Sequence, residues 1–294
     1  MTDDARREKI IGVVCGLIVV VIWSGFLVLS RHGATGILTP YDLTALRFGV
    51  AGLIMAPVLV RNGFGGLRPG QVVLITVTAG PCFALFAYGG FSLAPTAHGA
   101  VLIPGVLPLF TAVLAAVVIK ETFGTSRKFS LVLTLCGIGL MAKESLTFGS
   151  SEQGWGDILF LSASLSWAIF SVFVRAWRIA PLQATAIVTV LSMVGYLPIY
   201  GLFLPANLLI APVGEVFLQG IFQGFLSLIV ALLAFTRAVA ALGPAVTTMI
   251  TAAVPGAAAL AAIPVLHEPL SATAGVGIIF VTLGMVGAVM SLRN

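Results

Sequence analysis

Pro108 to Glu121, PLFTAVLAAVVIKE, returns later in the chain as Pro255 to Glu268, PGAAALAAIPVLHE. A shift of 147 pairs Pro108 with Pro255, Ala112 with Ala259, Ala115 with Ala262, Val118 with Val265 and Glu121 with Glu268. The same shift lays Ala84, Leu85, Ala87 and Ala94 on Ala231, Leu232, Ala234 and Ala241, and Gly137 on Gly284. Nearer the N-terminus a shift of 144 pairs Trp23, Phe26, Val28 and Arg31 with Trp167, Phe170, Val172 and Arg175. A shift of 141 pairs Pro40, Thr44, Ala45 and Pro57 with Pro181, Thr185, Ala186 and Pro198. Short loop insertions between helices of constant length give this kind of drift. Small apolar residues coincide by chance, so the Trp, Pro and Glu pairs carry the argument. The chain reads as an internal duplication, 1–148 followed by 149–294.

With 59% hydrophobic and 9% charged residues, the chain falls far below the roughly 25% charge of a soluble domain. It reads as an integral membrane protein. Ile10 to Ser30 carries no charge, and Pro69 to Ile119 none apart from the titratable His98. A run of about 20 such residues crosses a hydrocarbon core of about 30 Å as a helix. Lipid leaves only helices or closed barrels, and continuous rather than alternating apolar runs select an all-α fold. The basic head before the first run resembles a signal peptide, but the run is long, lacks a clear cleavage site and leads into further spans. Cys15, Cys82 and Cys136 fall inside expected spans without metal-ligand spacing, as packing residues do.

The spans read as 10–30, 40–60, 71–92, 97–119, 129–147, 156–177, 181–204, 214–240, 243–265 and 271–291, about ten helices and five per half. Gly and Pro mark the joints. The net charge of +5 has no soluble face on which to bind nucleic acid, so its meaning is topological. With the N-terminus inside, nearly all Lys and Arg fall on the cytoplasmic side, the exceptions being Arg31, Arg47 and Lys143. Both termini are then cytoplasmic. An odd number of spans per half turns the second half upside down, an inverted repeat of the kind that supports alternating access around a midplane site.

Two five-helix halves, each with an aromatic-rich first helix, a Pro in the fourth and a Glu just after it, resemble the EamA-type drug/metabolite transporter superfamily. The markers are Ala87-Tyr88, Pro108, Lys120-Glu121 and Gly137 in one half, and Ala234-Phe235, Pro255, His267-Glu268 and Gly284 in the other. Helix number and aromatic content are similar to those of bacterial exporters of amino acids, aromatic ones included. The resemblance implies a bacterial inner-membrane protein with a central cavity lined by helices 1, 3, 4, 6, 8 and 9, and helices 5 and 10 at the periphery.

Trp23 and Trp167 lie in mid-span, away from the interfacial belts where Trp collects. Paired across an inverted repeat they would offer indole faces to a substrate; alternatively they pack between helices. Tyr88 and Phe235 extend such a wall. Ser24, Thr247, Thr248, Thr251 and the backbone freed by Pro104, Pro108 and Pro255 offer polar contacts, unless the hydroxyls bond their own helices. Gly99, Gly105 and Gly256 read as close-packing positions. Arg47 is the one strong charge inside a span, about 10 Å past Pro40. It is a candidate partner for a substrate carboxylate, with a pair to Asp42 and snorkelling to the interface as alternatives. His98 could bind substrate, carry a proton or cap its helix. Glu121 and Glu268 end matching helices on opposite sides, as gate or interface contacts.

No Asp or Glu falls in mid-span, so proton coupling is not visible and facilitated export or exchange is the expectation. No P-loop, His-Glu-x-x-His or Gly-x-Ser-x-Gly is present, which leaves enzyme chemistry, cofactors and metals without their parts. The expected partners are a small metabolite and the bilayer, and a monomer suffices. The alternatives are an organic-cation or drug exporter, which would want a cavity carboxylate, and an intramembrane enzyme or lipid-handling scaffold.

Overall fold

The computed structural model describes residues 3–118, 120, 125–148 and 151–290. In chain order the first half holds α1 (Asp3–Thr35), α2 (Pro40–Asn62), α3 (Pro69–Val77), α4 (Phe83–Leu93), α5 (Thr96–Leu102), α6 (Leu107–Val118) and α7 (Thr125–Phe148). The second holds α8 (Ser151–Ala176), α9 (Pro181–Phe203), α10 (Val213–Gln219), α11 (Ala231–Leu242), α12 (Pro244–Thr251), α13 (Val254–Leu266) and α14 (Ala272–Met290). Wider π-helical turns, Thr78–Cys82 and Gly220–Val230, join α3 to α4 and α10 to α11. No strand occurs among the described residues. Eight helical segments there are long and apolar enough to cross a membrane, and the apolar stretches Phe129–Leu140 and Ala272–Gly287 are shorter. The sequence leads to an expectation of about ten spans.

Helix starts follow from local chemistry. Pro40, Pro69 and Pro181 open α2, α3 and α9, where a missing N–H costs nothing. Before α2 the Thr39 hydroxyl accepts from the Asp42 N–H (3.1 Å) while the Asp42 carboxylate accepts from the Thr39 N–H (2.7 Å). Asp42, fully buried, also accepts from the Tyr200 hydroxyl and from the Asn207 N–H at 3.0 Å. This one carboxylate ties the start of α2 to α9 and the loop after it.

Polarity is distributed as a bilayer demands. Val21, Leu53, Val60, Val194, Leu202, Phe203 and Leu260 are exposed, while Ser24, Ser30, Thr44, Arg47, Gln219 and Gln223 are buried. The main contacts between the halves join α1 to α11 and α13, α8 to α4 and α6, α2 to α9, and α7 to α14. Under the sequence shifts each of these pairings maps onto another or onto itself. Where α7 meets α14 the backbones approach closely: a Cβ at Gly137 would lie 2.8 Å from the Gly277 carbonyl, and one at Gly284 would lie 2.9 Å from the Ser130 carbonyl.

Candidate functional site

The quoted repeat marks two helices that are each broken. Between α5 and α6 the chain turns at Ile103–Val106, and between α12 and α13 at Ala252 and Ala253. Pro104, partly buried within the first turn, and Pro108 and Pro255 just beyond the turns remove backbone donors. In lipid, backbone carbonyls at such breaks need partners. The Ile103 carbonyl accepts from Ser164 Oγ of α8 at 2.9 Å, and the Val254 carbonyl accepts from Ser24 Oγ of α1 at 3.3 Å. The first helix of each half therefore braces the broken helix of the other. The π turns supply a second pair of interruptions. Gly80 leaves helical geometry at φ −92 and ψ −117, and Ser166 Oγ of α8 donates to the neighbouring Thr78 carbonyl at 2.7 Å. Interruptions at matching places in two halves are the backbone signature of a midplane binding site.

Aromatic rings line these breaks, in pairings the sequence does not specify. Trp23 stacks on Phe235 with centroids 5.6 Å apart. Trp167 packs against Phe83 at 4.9 Å and Phe170 at 5.2 Å. Tyr88 packs on Phe26 at 6.2 Å, and Phe26 on Phe83 at 6.5 Å. The two tryptophans thus belong to separate aromatic groups rather than to one stacked pair, and both remain partly exposed.

A buried polar network lies beside the rings. Tyr88 Oη donates to Gln223 Oε1 at 3.0 Å, and Gln223 Nε2 donates to Gln219 Oε1 at 3.1 Å and to Ser30 Oγ at 3.3 Å. Gln219 Nε2 donates to the Leu29 carbonyl at 3.0 Å and to Glu215 at 2.9 Å. Arg47 Nη1 donates to Ser227 Oγ at 3.2 Å, and its guanidinium lies over Phe26 and Phe83 at 5.2 and 5.7 Å. At 4% exposure Arg47 does not snorkel. Nor does it pair with Asp42, whose oxygens are taken by Thr39, Tyr200 and Asn207. Gln219 and Gln223 were absent from the sequence-derived candidates. The available signal is their spacing: with Ser227 they recur every four residues on an otherwise apolar segment.

The remaining candidates divide. Thr247 Oγ1 donates to the Gly243 carbonyl at 2.9 Å and Thr251 Oγ1 to the Thr248 carbonyl at 3.1 Å, so both hydroxyls serve their own helix. Thr248 is half-buried one residue along. His98 is buried at the start of α5, its Nδ1 2.9 Å from Asp157 Oδ1 and its Nε2 3.2 Å from Gln153 Nε2. A neutral ring donating to Asp157 and accepting from the Gln153 amide satisfies both contacts. The sequence offers His98 no such partner, because Asp157 lies in the second turn of α8, 59 residues along the chain.

Glu268, just past α13, accepts from Arg31 Nε of α1 at 2.8 Å and from the Thr96 N–H at the start of α5 at 2.8 Å. Arg31 Nη1 also donates to the Phe91 carbonyl at the end of α4. One ion pair thus closes α1, α4, α5 and α13 together at one end of the bundle. Glu121, its counterpart in the repeat, lies outside the described residues. Among the described residues no cluster of His, Cys, Asp and Glu is placed to hold a metal.

Comparison with known proteins agrees with this architecture. The chain is 26% identical over 269 residues to an uncharacterized transporter, YyaM, of Bacillus subtilis (strain 168), covering 86% of this chain and 85% of that protein. A solved crystal structure superposes with a TM-score of 0.65 over 96% of this chain and 98% of its own; at 18% identity it speaks to fold alone. The sequence pattern of the EamA-like transporter family matches residues 10–143 and again residues 154–290. With nearly its whole length so matched, the chain belongs to the EamA-like transporter family.

Proposed function

We propose that this membrane transporter exports amino acids, aromatic ones included, or similar small metabolites across the bacterial inner membrane by alternating access, in facilitated or exchange mode. The observation that carries this reading is the matched pair of broken helices, each braced by a serine from the first helix of the opposite half. A rocking motion of inverted halves around such breaks exposes one site to each side in turn. With the Lys/Arg-rich loops in the cytoplasm, the Arg31–Glu268 closure lies on the outer side, and the conformation described is closed there. The partly exposed Trp23, Trp167 and Phe235 favour a substrate with an apolar or aromatic body. A cation exporter is supported less well, because the buried carboxylates are engaged: Asp42, in the first turn of α2, by hydrogen-bond donors, and Asp157 by His98.

The test is uptake of labelled amino acids into proteoliposomes of the purified protein, with and without unlabelled amino acid inside, for wild type and Trp167→Ala. Saturable uptake that internal substrate accelerates and the mutation weakens supports the reading. Absence of saturable flux in folded protein removes amino acids as the cargo.

A further inference from the structure

Arg47 stands out on charge. α2 places it about 10 Å past Pro40, at 1.5 Å per residue, well inside the hydrocarbon depth. It is 4% exposed, and no ion pair joins it to a carboxylate among the described residues. An arginine side chain carries five N–H donors in a planar fork. Here the fork meets two hydroxyls, Ser227 Oγ at 3.2 Å and that of Tyr88, and Nε is buried without a partner. The two phenyl faces below it, Phe26 and Phe83, attract a cation but do not neutralise it. A buried charge left uncompensated is costly, and a retained one in a membrane segment marks a pathway.

The surroundings define what would complete it. Gln223 and Ser227 sit one turn apart on the π-helical segment, and Ser227 Oγ donates to the Gln223 carbonyl at 2.7 Å. Gln223 in turn receives the Tyr88 hydroxyl, whose oxygen also accepts from Arg47. Neutral amide and hydroxyl groups around a single guanidinium suit one negative charge, since a phosphate dianion would want a second cation. A planar guanidinium matches a planar carboxylate through two parallel hydrogen bonds. Phe83, under Arg47 at 5.7 Å, continues to Trp167 at 4.9 Å, so an apolar body attached to that carboxylate would lie along a row of rings.

We propose that Arg47, flanked by Tyr88, Gln223 and Ser227, is the site that binds the carboxylate of the transported molecule, which therefore travels as a monocarboxylate with its apolar part against Phe83 and Trp167. This rests on the transporter reading above. The substrate supplies the counter-charge that the fold withholds from Arg47, and an amine lacking the carboxylate leaves that charge uncompensated.

The experiment is counterflow in proteoliposomes of the full chain with three labelled mixtures: the common amino acids, their deaminated acids and their decarboxylated amines. Wild type is compared with Arg47→Gln and Arg47→Lys, each checked for folding by thermal unfolding and size-exclusion. The expected result is that compounds bearing a carboxylate are taken up in preference to amines by about a hundredfold, which is about 2.8 kcal/mol and within the range for a hydrogen bond to a charged group. Arg47→Gln abolishes that preference and Arg47→Lys keeps part of it. Where Arg47→Gln does not fold, the wild-type preference and the Arg47→Lys loss decide. Equal uptake of amines and acids by wild type, a folded Arg47→Gln that keeps the preference, or no flux of any carboxylate overturns the proposal. Arg47-dependent uptake of deaminated acids without amino acids sinks the amino-acid reading and leaves this site standing. Amino-acid uptake indifferent to Arg47 does the reverse.

Discussion

Arg31 Nε meets Glu268 Oε1 at 2.8 Å, joining the end of the first helix to the end of α13, residues 237 apart in sequence. Both side chains are 19% exposed, so the pair is neither a free surface bridge nor fully desolvated. Its leverage comes from geometry, because the second oxygen of Glu268 holds the Thr96 N–H and the second arm of Arg31 holds the Phe91 carbonyl.

Glu268→Gln removes the charge and keeps the shape. Losing about 1 kcal/mol of a partly buried ion pair shifts a closed-to-open equilibrium about fivefold. We expect a cysteine at Ser30, buried beneath the latch, to react that much faster with a membrane-impermeant thiol reagent in a background lacking the native cysteines. Unchanged labelling in Glu268→Gln would mean that this pair does not hold the bundle shut.

The brace at the first helix break is testable by stability. Ser164→Ala leaves the Ile103 carbonyl buried without its 2.9 Å donor, a loss of about 1–2 kcal/mol. Ser162, two residues earlier, bonds the Ile158 carbonyl of its own helix at 2.8 Å. Ser162→Ala should therefore unfold within about 0.5 kcal/mol of wild type in detergent. Equal effects from the two serines would remove the bracing role.

Much of this was legible in the sequence. The repeat set Pro108 and Pro255 at matching positions, and the proline starts of α2 and α9 fell where expected, but 97–119 and 243–265 read as single spans where the structure has a break in each. The exceptions to the charge rule are informative: Arg31 and Arg47 each have a partner on another helix of the bundle. What stayed hidden depends on helix rotation. Trp23 faces Phe235 rather than Trp167, and Gln223 finds Tyr88 across 135 residues, because azimuth and not spacing decides which side chains meet. The π turns were invisible for a related reason: one extra residue per turn does not disturb a run that is apolar on every side.

Gly284 and Gly139 make a matched pair of probes on the α7–α14 contact. A methyl group on Gly284 would meet the Ser130 carbonyl at 2.9 Å, whereas one on Gly139 meets nothing within 4 Å. Gly284→Ala should cost about 1–3 kcal/mol through overpacking. Gly139→Ala should be neutral or stabilising by about 0.5–1 kcal/mol, the helix-propensity difference. Thermal unfolding of the two variants side by side reads the contrast, and a neutral Gly284→Ala would mean that the helices are not held this close.

Asp42 gives the sharpest test of the fold, because the hydrogen bonds at its carboxylate are all donated to it. Oδ2 accepts from the Thr39 N–H and hydroxyl at 2.7 and 2.8 Å, and Oδ1 accepts from the Tyr200 hydroxyl and, at 3.0 Å, from the Asn207 N–H. An asparagine keeps one oxygen and must turn its NH₂ toward donors on the other side, whichever way it is placed. Asp42→Asn, conservative in shape, should therefore lose about 2 kcal/mol, while Tyr200→Phe, which removes one of the donors, loses about 1 kcal/mol. Denaturant unfolding with an intrinsic fluorescence readout distinguishes them. If Asp42→Asn were as stable as wild type, the carboxylate would not be the shared acceptor that fixes α2 against α9.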